Sequence, residues 1–236
     1  CPCILLQLVA TGKPLSTTGM MIEDRTRTFI IAMERTVVPE NFSFRMTDEE
    51  YRVLEKIKNS IPVCYLADHA DFALGIVTGN NKKFLSAEKT EHSEMVLKGT
   101  DICKYHINPA KQYLRFEPEQ FQQVAPLEIY RAPEKLLYRF ISNQLVVAYD
   151  DRQMLSLNSC NIVIPKIDGM QIKYILAILN SSVSQFVYQK EFHSIKVLRA
   201  HMEHIPIPRV GKAIQNEIIA MTEPLICGMG KEAAET

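Results

Sequence analysis

Tyr174-Ile-Leu-Ala-Ile-Leu-Asn180-Ser-Ser-Val-Ser-Gln-Phe186-Val-Tyr188, then Ser194-Ile-Lys-Val-Leu-Arg199, then His204-Ile-Pro-Ile-Pro208, is the most informative stretch of this 236-residue sequence. Ile172, Leu176, Leu179, Val183 and Phe186 are spaced so that they fall along one face of a helix. An Asn-Ser step lies inside that stripe, and a basic loop follows it. The Ile-Pro-Ile-Pro run is a stop, because proline cannot continue a helix. Asp168-Gly-Met-Gln171 ahead of the stripe reads as a capping-box-like start. A stripe that must be buried makes this helix scaffold rather than reader, and no catalytic motif has this form.

Working back from it, residues 63–165 hold short apolar runs separated by turn residues. Residues 71–77, 113–116, 127–130, 136–142, 145–149 and 161–164 read as strands. Gly79-Asn-Asn, Asn108-Pro109 and Tyr149-Asp-Asp151 read as turns. Strands in succession, without alternating helices, imply an α+β fold built on a curved, mostly antiparallel β-sheet with flanking helices. Thr47-Asp-Glu-Glu50 is a capping box. The helix it opens puts Tyr51, Leu54 and Ile57 on one face and ends at Ile61-Pro62. Residues 28–38 are strand-like, residues 1–10 (CPCILLQLVA) read as a buried strand, and 15–19 as a linker. A last helix, 212–221, carries Ile214, Ile218 and Met221 on one side. The tail from Gly228 is polar and reads as disordered.

Composition narrows the function classes. Hydrophobic content of 47% with 23% charged residues is that of a globular protein. Lys plus Arg equals Asp plus Glu at 27 each, so any affinity for nucleic acid must come from local basic patches. No window holds the ~18 uninterrupted apolar residues of a membrane helix, and the N-terminus lacks the basic leader of a signal peptide. Six scattered cysteines without a Cys-x-x-Cys pair read as reduced thiols, most of them buried, in a cytoplasmic protein. The first residue is cysteine rather than methionine, which reads as a piece of a longer chain.

Four constellations could carry chemistry. Gly75-Ile-Val-Thr-Gly79-Asn80-Asn81-Lys82-Lys83 offers glycines for close approach, the amides of Asn80 and Asn81 for base edges, and Lys82 and Lys83 for phosphates. It lacks the Gly-Lys-Ser/Thr ending of a P-loop; the plainer reading is a hairpin with a solvated tip. Lys98-Gly-Thr-Asp-Ile-Cys-Lys104-Tyr105-His106 interleaves basic and aromatic groups, which suits phosphate contact and stacking, or is an exposed loop. Arg131 could make a bidentate contact with a guanine or a phosphate, or sit in a solvated turn. Between residues 190 and 212 five Lys/Arg, including Lys196 and Arg199, face two acids, which fits phosphate contact or plain surface charge. His201 and His204 could share a helical face, but no third ligand supports a metal site there.

Hydrolase signals are missing. There is no Gly-x-Ser-x-Gly elbow and no His-Glu-x-x-His, and Asp150-Asp151 reads as a turn. A stand-alone nuclease or hydrolase is the least supported class.

With these residues in view, residues 63–221 resemble the TaqI-like C-terminal specificity domain. This is the target recognition domain of adenine-N6 DNA methyltransferases and fused type IIG restriction-modification enzymes, and it is related to the recognition domains of type I specificity subunits. The resemblance rests on the order of Ala73-Leu-Gly75-Ile-Val-Thr-Gly79-Asn-Asn-Lys82, Leu97-Lys-Gly99-Thr-Asp-Ile-Cys-Lys104-Tyr105, Ile129-Tyr-Arg-Ala-Pro-Glu-Lys135, Leu157-Asn-Ser-Cys-Asn-Ile-Val-Ile164, Tyr174-Ile-Leu-Ala-Ile-Leu-Asn180-Ser181 and Ile205-Pro-Ile-Pro208. It implies sequence-specific recognition of double-stranded DNA. Asn80, Asn81 and Arg131 would be base readers, and Lys82, Lys83, Lys98, Lys104, Tyr105, Lys196 and Arg199 phosphate contacts. It also implies a division into a strand remnant of a methyltransferase domain (1–14), a bridging segment (15–46), the recognition domain (47–227) and a tail (228–236). The family's Asn/Asp-Pro-Pro-Tyr/Phe and glycine-rich S-adenosylmethionine motifs are not in this sequence. Catalysis and S-adenosylmethionine would therefore belong to a methyltransferase domain of the same parent chain, with no cofactor or metal here. The alternatives are a protein-interaction or assembly module, signalled by an exposed stripe at Ile214, Ile218 and Met221, and a fragment of a separate type I specificity subunit.

Overall fold

The computed structural model describes residues 20–23, 27–32, 35, 43, 45–192 and 194–228. The expected strand at 1–10, the linker at 15–19, residues 36–38 of the strand-like run and the tail from 229 lie outside the described residues. Contacts divide the chain into two units, Cys1–Glu55 and Lys56–Thr236.

In the first unit, β1 (Met20–Glu23) and β2 (Thr28–Ile31) form an antiparallel hairpin. Helix α1 (Asp48–Asn59) begins here and crosses the division between units. Its capping box forms as read: the Glu50 N–H donates to Thr47 Oγ1 at 3.1 Å, and the Thr47 N–H donates to Glu50 Oε2 at 3.0 Å. Buried Arg35 donates to the Met46 and Ser43 carbonyls and to the Asp48 carboxylate, with its guanidinium 4.7 Å from the Tyr51 ring centroid.

The second unit is built on an antiparallel sheet of β4 (Ala70–Ala73), β11 (Cys160–Pro165), β8 (Lys135–Arg139) and β9 (Val147–Asp150), in that order. Strand side chains alternate between faces. Leu137, Ala148, Cys160 and Ile162 share one core with a smaller sheet. That sheet orders β10 (Leu155–Ser156), β6 (Glu94–Leu97), β7 (Tyr113–Leu114) and β5 (Leu85–Ser86), with only the β10–β6 pair parallel. The other face of the main sheet packs, at β8 and β9, against α4 (Ile172–Asn180), which packs in turn on α7 (Lys212–Ile226). The Ile-Pro-Ile-Pro stop is itself a strand, β12 (Ile207–Pro208), paired antiparallel with β3 (Val63–Cys64). The architecture is α+β, with mostly antiparallel sheets and flanking helices.

Five expectations give way to tertiary detail. The long helix is two: α4 ends at Asn180, and α5 (Ser182–Glu191) starts afresh, its N-cap Ser181 accepting from the Ser184 N–H at 3.2 Å. The apolar stripe therefore does not run through, and Val183 is 50% exposed. Asp168 caps nothing; Gly169 turns the chain at φ +75. The Gln171 N–H at the start of α4 is met instead by Gln215 Oε1 from α7, at 2.9 Å. Residues 127–130 form one helical turn, α3 (Leu127–Tyr130), not a strand. Residues 71–77 are not continuous either: β4 ends at Ala73, where Gly75 presses so close to the 157–160 segment that an added Cβ would lie 2.2 Å from the Leu157 carbonyl oxygen. The last helix also extends to Ile226, through Pro224.

Two polar interactions hold the main sheet. Asn180 finishes the outer edge of β9: its Oδ1 accepts the Val147 N–H at 3.1 Å, and its Nδ2 donates to the Val147 carbonyl at 2.8 Å. The backbone of Tyr105 continues that edge, donating to Val147 O and accepting from Tyr149 N. At the far end of the same strand pair, Lys135 and Asp150 face each other in register at 2.6 Å, both side chains 0% exposed. Burial lowers the Lys135 pKa, and the Asp150 charge pushes it back up. Lys135 also donates to the Tyr130 carbonyl, and Asp150 accepts from the Arg152 and Met154 N–H groups. Lys135→Met leaves that carboxylate buried without its cation and is expected to cost about 3–5 kcal/mol. Urea unfolding measures the loss, and adding Asp150→Asn recovers part of it.

Candidate nucleic-acid interface

The predicted site residues fall into two groups. The first lies along the smaller sheet. Gly79, at φ +76, turns the chain into α2 (Asn81–Phe84), which leads straight into β5. Asn80 is the N-cap of that turn, its Oδ1 accepting from the Lys83 N–H at 3.2 Å. Asn81 Oδ1 accepts from Thr78 Oγ1 at 2.6 Å. Both amides are exposed, but each is oriented by a bond within its own loop. Lys82 and Lys83 project from the same turn and are exposed, the Lys83 ammonium 4.6 Å from the Phe84 ring centroid.

Arg131 belongs to this group through a column of rings. Phe84 meets Phe121 edge-on at 5.4 Å, Phe121 meets Phe116 at 6.0 Å, and Phe116 meets Tyr130 at 6.2 Å. The Tyr130 hydroxyl donates to the Leu74 carbonyl and accepts the Ala125 N–H. Arg131 follows directly. Its Nη2 donates to both Glu94 carboxylate oxygens at 2.7 Å, and its Nη1 donates to the Gln153 carbonyl at 2.7 Å. The guanidinium fork is thus committed inside the domain, joining β6 to the turn after β9. Sequence reasoning missed Glu94 as its partner, because the two are remote in the chain.

The second group lies against the main sheet. Lys98 starts the short turn Gly99–Asp101, its N–H donating to Asp101 Oδ2 at 2.8 Å. Lys104 Nζ reaches the Asn180 carbonyl at 3.5 Å. Tyr105 has a φ of +75, and burial raises its phenol pKa; its place is the β9 edge. Lys196, which pairs with Ile141, and Arg199, the first residue of α6 (Arg199–Glu203), are both exposed. Lys196 lies 5.8 Å from the Phe140 ring centroid; Arg199 lies 5.2 Å from that of Phe72 and bonds Glu203 at 2.7 Å. The two acids of this basic stretch are both taken, Glu203 by Arg199 and Glu191 by Lys58.

His193 lies outside the described residues, and no group of His, Cys, Asp and Glu suited to a metal ion forms among those described. His201 stacks on Phe192 at 4.5 Å, and its Nδ1 accepts the Leu198 N–H at 3.2 Å. Asp150 is half of the buried pair, and Cys64 and Cys160 are buried free thiols. Among the described residues no helix is long and apolar enough to cross a membrane.

Residues 94–207 match the family model of the TaqI-like C-terminal specificity domain. The ring column and Arg131 fall inside that match except for Phe84; the loop at 75–83 lies before it. Similar solved structures include the HsdS subunit from Thermoanaerobacter tengcongensis, at 14% identity and TM-score 0.47, covering 80% of this chain and 46% of that one. The type IIL restriction-modification enzyme MmeI in complex with DNA is similar at 10% identity and TM-score 0.49, covering 73% and 29%. The type IIG restriction endonuclease BpuSI is similar at 9% identity and TM-score 0.48, covering 84% and 30%. This chain spans less than half the length of each. A search of curated proteins finds no match.

One property of the basic stretch is testable through its histidine. Burial lowers the His201 pKa, so the unfolded chain takes up this proton more readily than the folded one. The His201 contribution is therefore complete above the ordinary value of about 6.5 and is lost as pH falls below it. The thermal midpoint is expected to fall between about pH 7.5 and about pH 5, with a shallower fall in His201→Phe, which keeps the ring stack but does not titrate.

Proposed function

We propose that this chain recognises double-stranded DNA sequence-specifically, as the target recognition domain of a restriction-modification enzyme whose parent chain methylates adenine at N6. The observation that carries the reading is the match of residues 94–207 to a specificity domain. The similar solved structures are described respectively as an HsdS subunit, a type IIL restriction-modification enzyme in complex with DNA and a type IIG restriction endonuclease.

In this reading Lys82 and Lys83 contact phosphates from the tip of α2, and Lys196 and Arg199 contact them from the basic segment. These contacts fix register and supply salt-dependent affinity without reading sequence. Asn80 and Asn81 face base edges with their free amide hydrogens. Arg131 acts first as a brace, and could turn to a base only by leaving Glu94. Lys98, Lys104 and Tyr105 are further phosphate candidates in this reading, with Tyr105 at the β9 edge and Lys104 reaching the Asn180 carbonyl. At zero net charge the chain alone binds weakly, and tight binding needs the rest of the parent.

Methyl transfer, S-adenosylmethionine and the flipped adenine belong to a methyltransferase domain of that parent.

The expected result for Lys82→Ala with Lys83→Ala is weaker binding to every duplex alike. The slope of log K against log salt should become shallower by roughly 1 to 2. Fluorescence anisotropy across a salt series measures it; an unchanged slope removes this loop as a phosphate contact.

The α7 surface favours a second reading, docking of a partner subunit. Ile214 and Met221 are 48% and 69% exposed on one side of the helix, with Ile218 half-buried. Under it, Ile214→Glu with Met221→Glu abolishes co-elution with the methyltransferase portion of the parent and leaves DNA affinity of the isolated chain unchanged.

A further inference from the structure

Gln122 was in no motif, yet it sits at the tip of the first group. Its neighbour Phe121 is a buried ring at the centre of the aromatic column. Its other neighbour, Gln123, is paired in both directions with Val77: the Val77 N–H donates to Gln123 O at 2.8 Å, and the Gln123 N–H donates to Val77 O at 3.1 Å. Held on both sides, the Gln122 side chain lies over Gly79. A Cβ added to Gly79 would meet Gln122 Cβ at 3.4 Å and Oε1 at 3.5 Å. That places it beside Asn80 and at the root of the turn that carries Lys82 and Lys83.

The side chains around it differ in what they have left to offer. The oxygens of Asn80 and Asn81 already accept bonds from Lys83 and Thr78, and Gln120 Nε2 donates to Glu117 at 2.7 Å. Gln122 is exposed, and among the described residues no hydrogen bond engages its amide. A free carboxamide on a fixed backbone, beside the glycine that leads into the turn carrying two exposed lysines, is suited to bidentate pairing with adenine, accepting from N6–H and donating to N7.

We propose that Gln122 reads an adenine in the bound duplex and sets the specificity of this domain at one base pair. This rests on the DNA-recognition reading above. Gln122 supplies sequence preference and little of the salt-dependent affinity, the reverse of Lys82 and Lys83.

The test exposes the 236-residue chain, Gln122→Ala and Gln122→Glu to a library of duplexes with a randomised central tract, and sequences the bound fraction. Thermal midpoints of the three are expected to coincide, because the side chain is exposed. The wild type should enrich a motif containing adenine at one position. Gln122→Ala should lose roughly 10- to 100-fold of that preference at that position alone. Gln122→Glu, which can only accept, should shift the preference there to cytosine. Identical motifs from all three overturn the assignment while leaving DNA recognition standing. No motif from the folded wild type overturns the underlying reading and this assignment with it.

Discussion

The ion pair between Lys135 and Asp150 is the buried electrostatic link that the second unit is arranged around. It joins β8 to β9 at their shared end, on the face that packs against the smaller sheet. Lys135 also fixes the carbonyl that ends α3, and Asp150 fixes the turn into β10. Two fully desolvated charges are tolerable only when every remaining hydrogen-bonding group near them is satisfied. Here the surplus donors and acceptors are spent on backbone groups that would otherwise be orphaned. The position of Arg131 follows from both ends of this arrangement. Its helix is set by the lysine, and the Gln153 carbonyl it binds lies in the turn set by the aspartate.

Much of this fold was legible in the sequence, and the misses share a cause. Thr47 and Glu50 are local, and their capping box could be read from spacing alone. The antiparallel strands after residue 135 could be read from apolar runs bounded by turns. The stretch 127–130 could not: four apolar-rich residues fit a strand or a helical turn equally, and the decision came from Tyr130 reaching Leu74 and from Lys135 holding its carbonyl. The stripe from Ile172 to Phe186 suggested one helix because periodicity ignores where polar residues must go. Asn180 turns to the β9 edge and Ser181 caps a new helix, so the Asn-Ser step that marked this stretch is where it breaks.

The candidate site residues could be named by type but not by what engages them. Asn80, Asn81 and Arg131 have the chemistry of base readers in any loop, but in the fold their acceptors or fork are already engaged. Gln122 carried no signal, since a glutamine between Phe121 and Gln123 resembles any polar loop residue. Its position comes from the pairing of Val77 with Gln123, which is remote in sequence. A glycine told a similar story. Gly75 reads as room for close approach to a partner. What approaches it is the chain's own 157–160 segment, with an added Cβ atom falling 2.2 Å from Leu157 O.

The column from Phe84 through Phe121 and Phe116 to Tyr130 has a consequence for how such a chain can diverge. Its rings tie together the segments that carry Phe84, Phe121 and Tyr130, while the exposed positions 82 and 122 take no part in it. Exchange at those positions leaves the anchor untouched, and exposed substitutions away from packed features cost little. Drift at the tips is thereby uncoupled from the cost of losing the fold. A lineage carrying this scaffold could accumulate variants at its outer surface almost neutrally, with the rings constraining everything beneath.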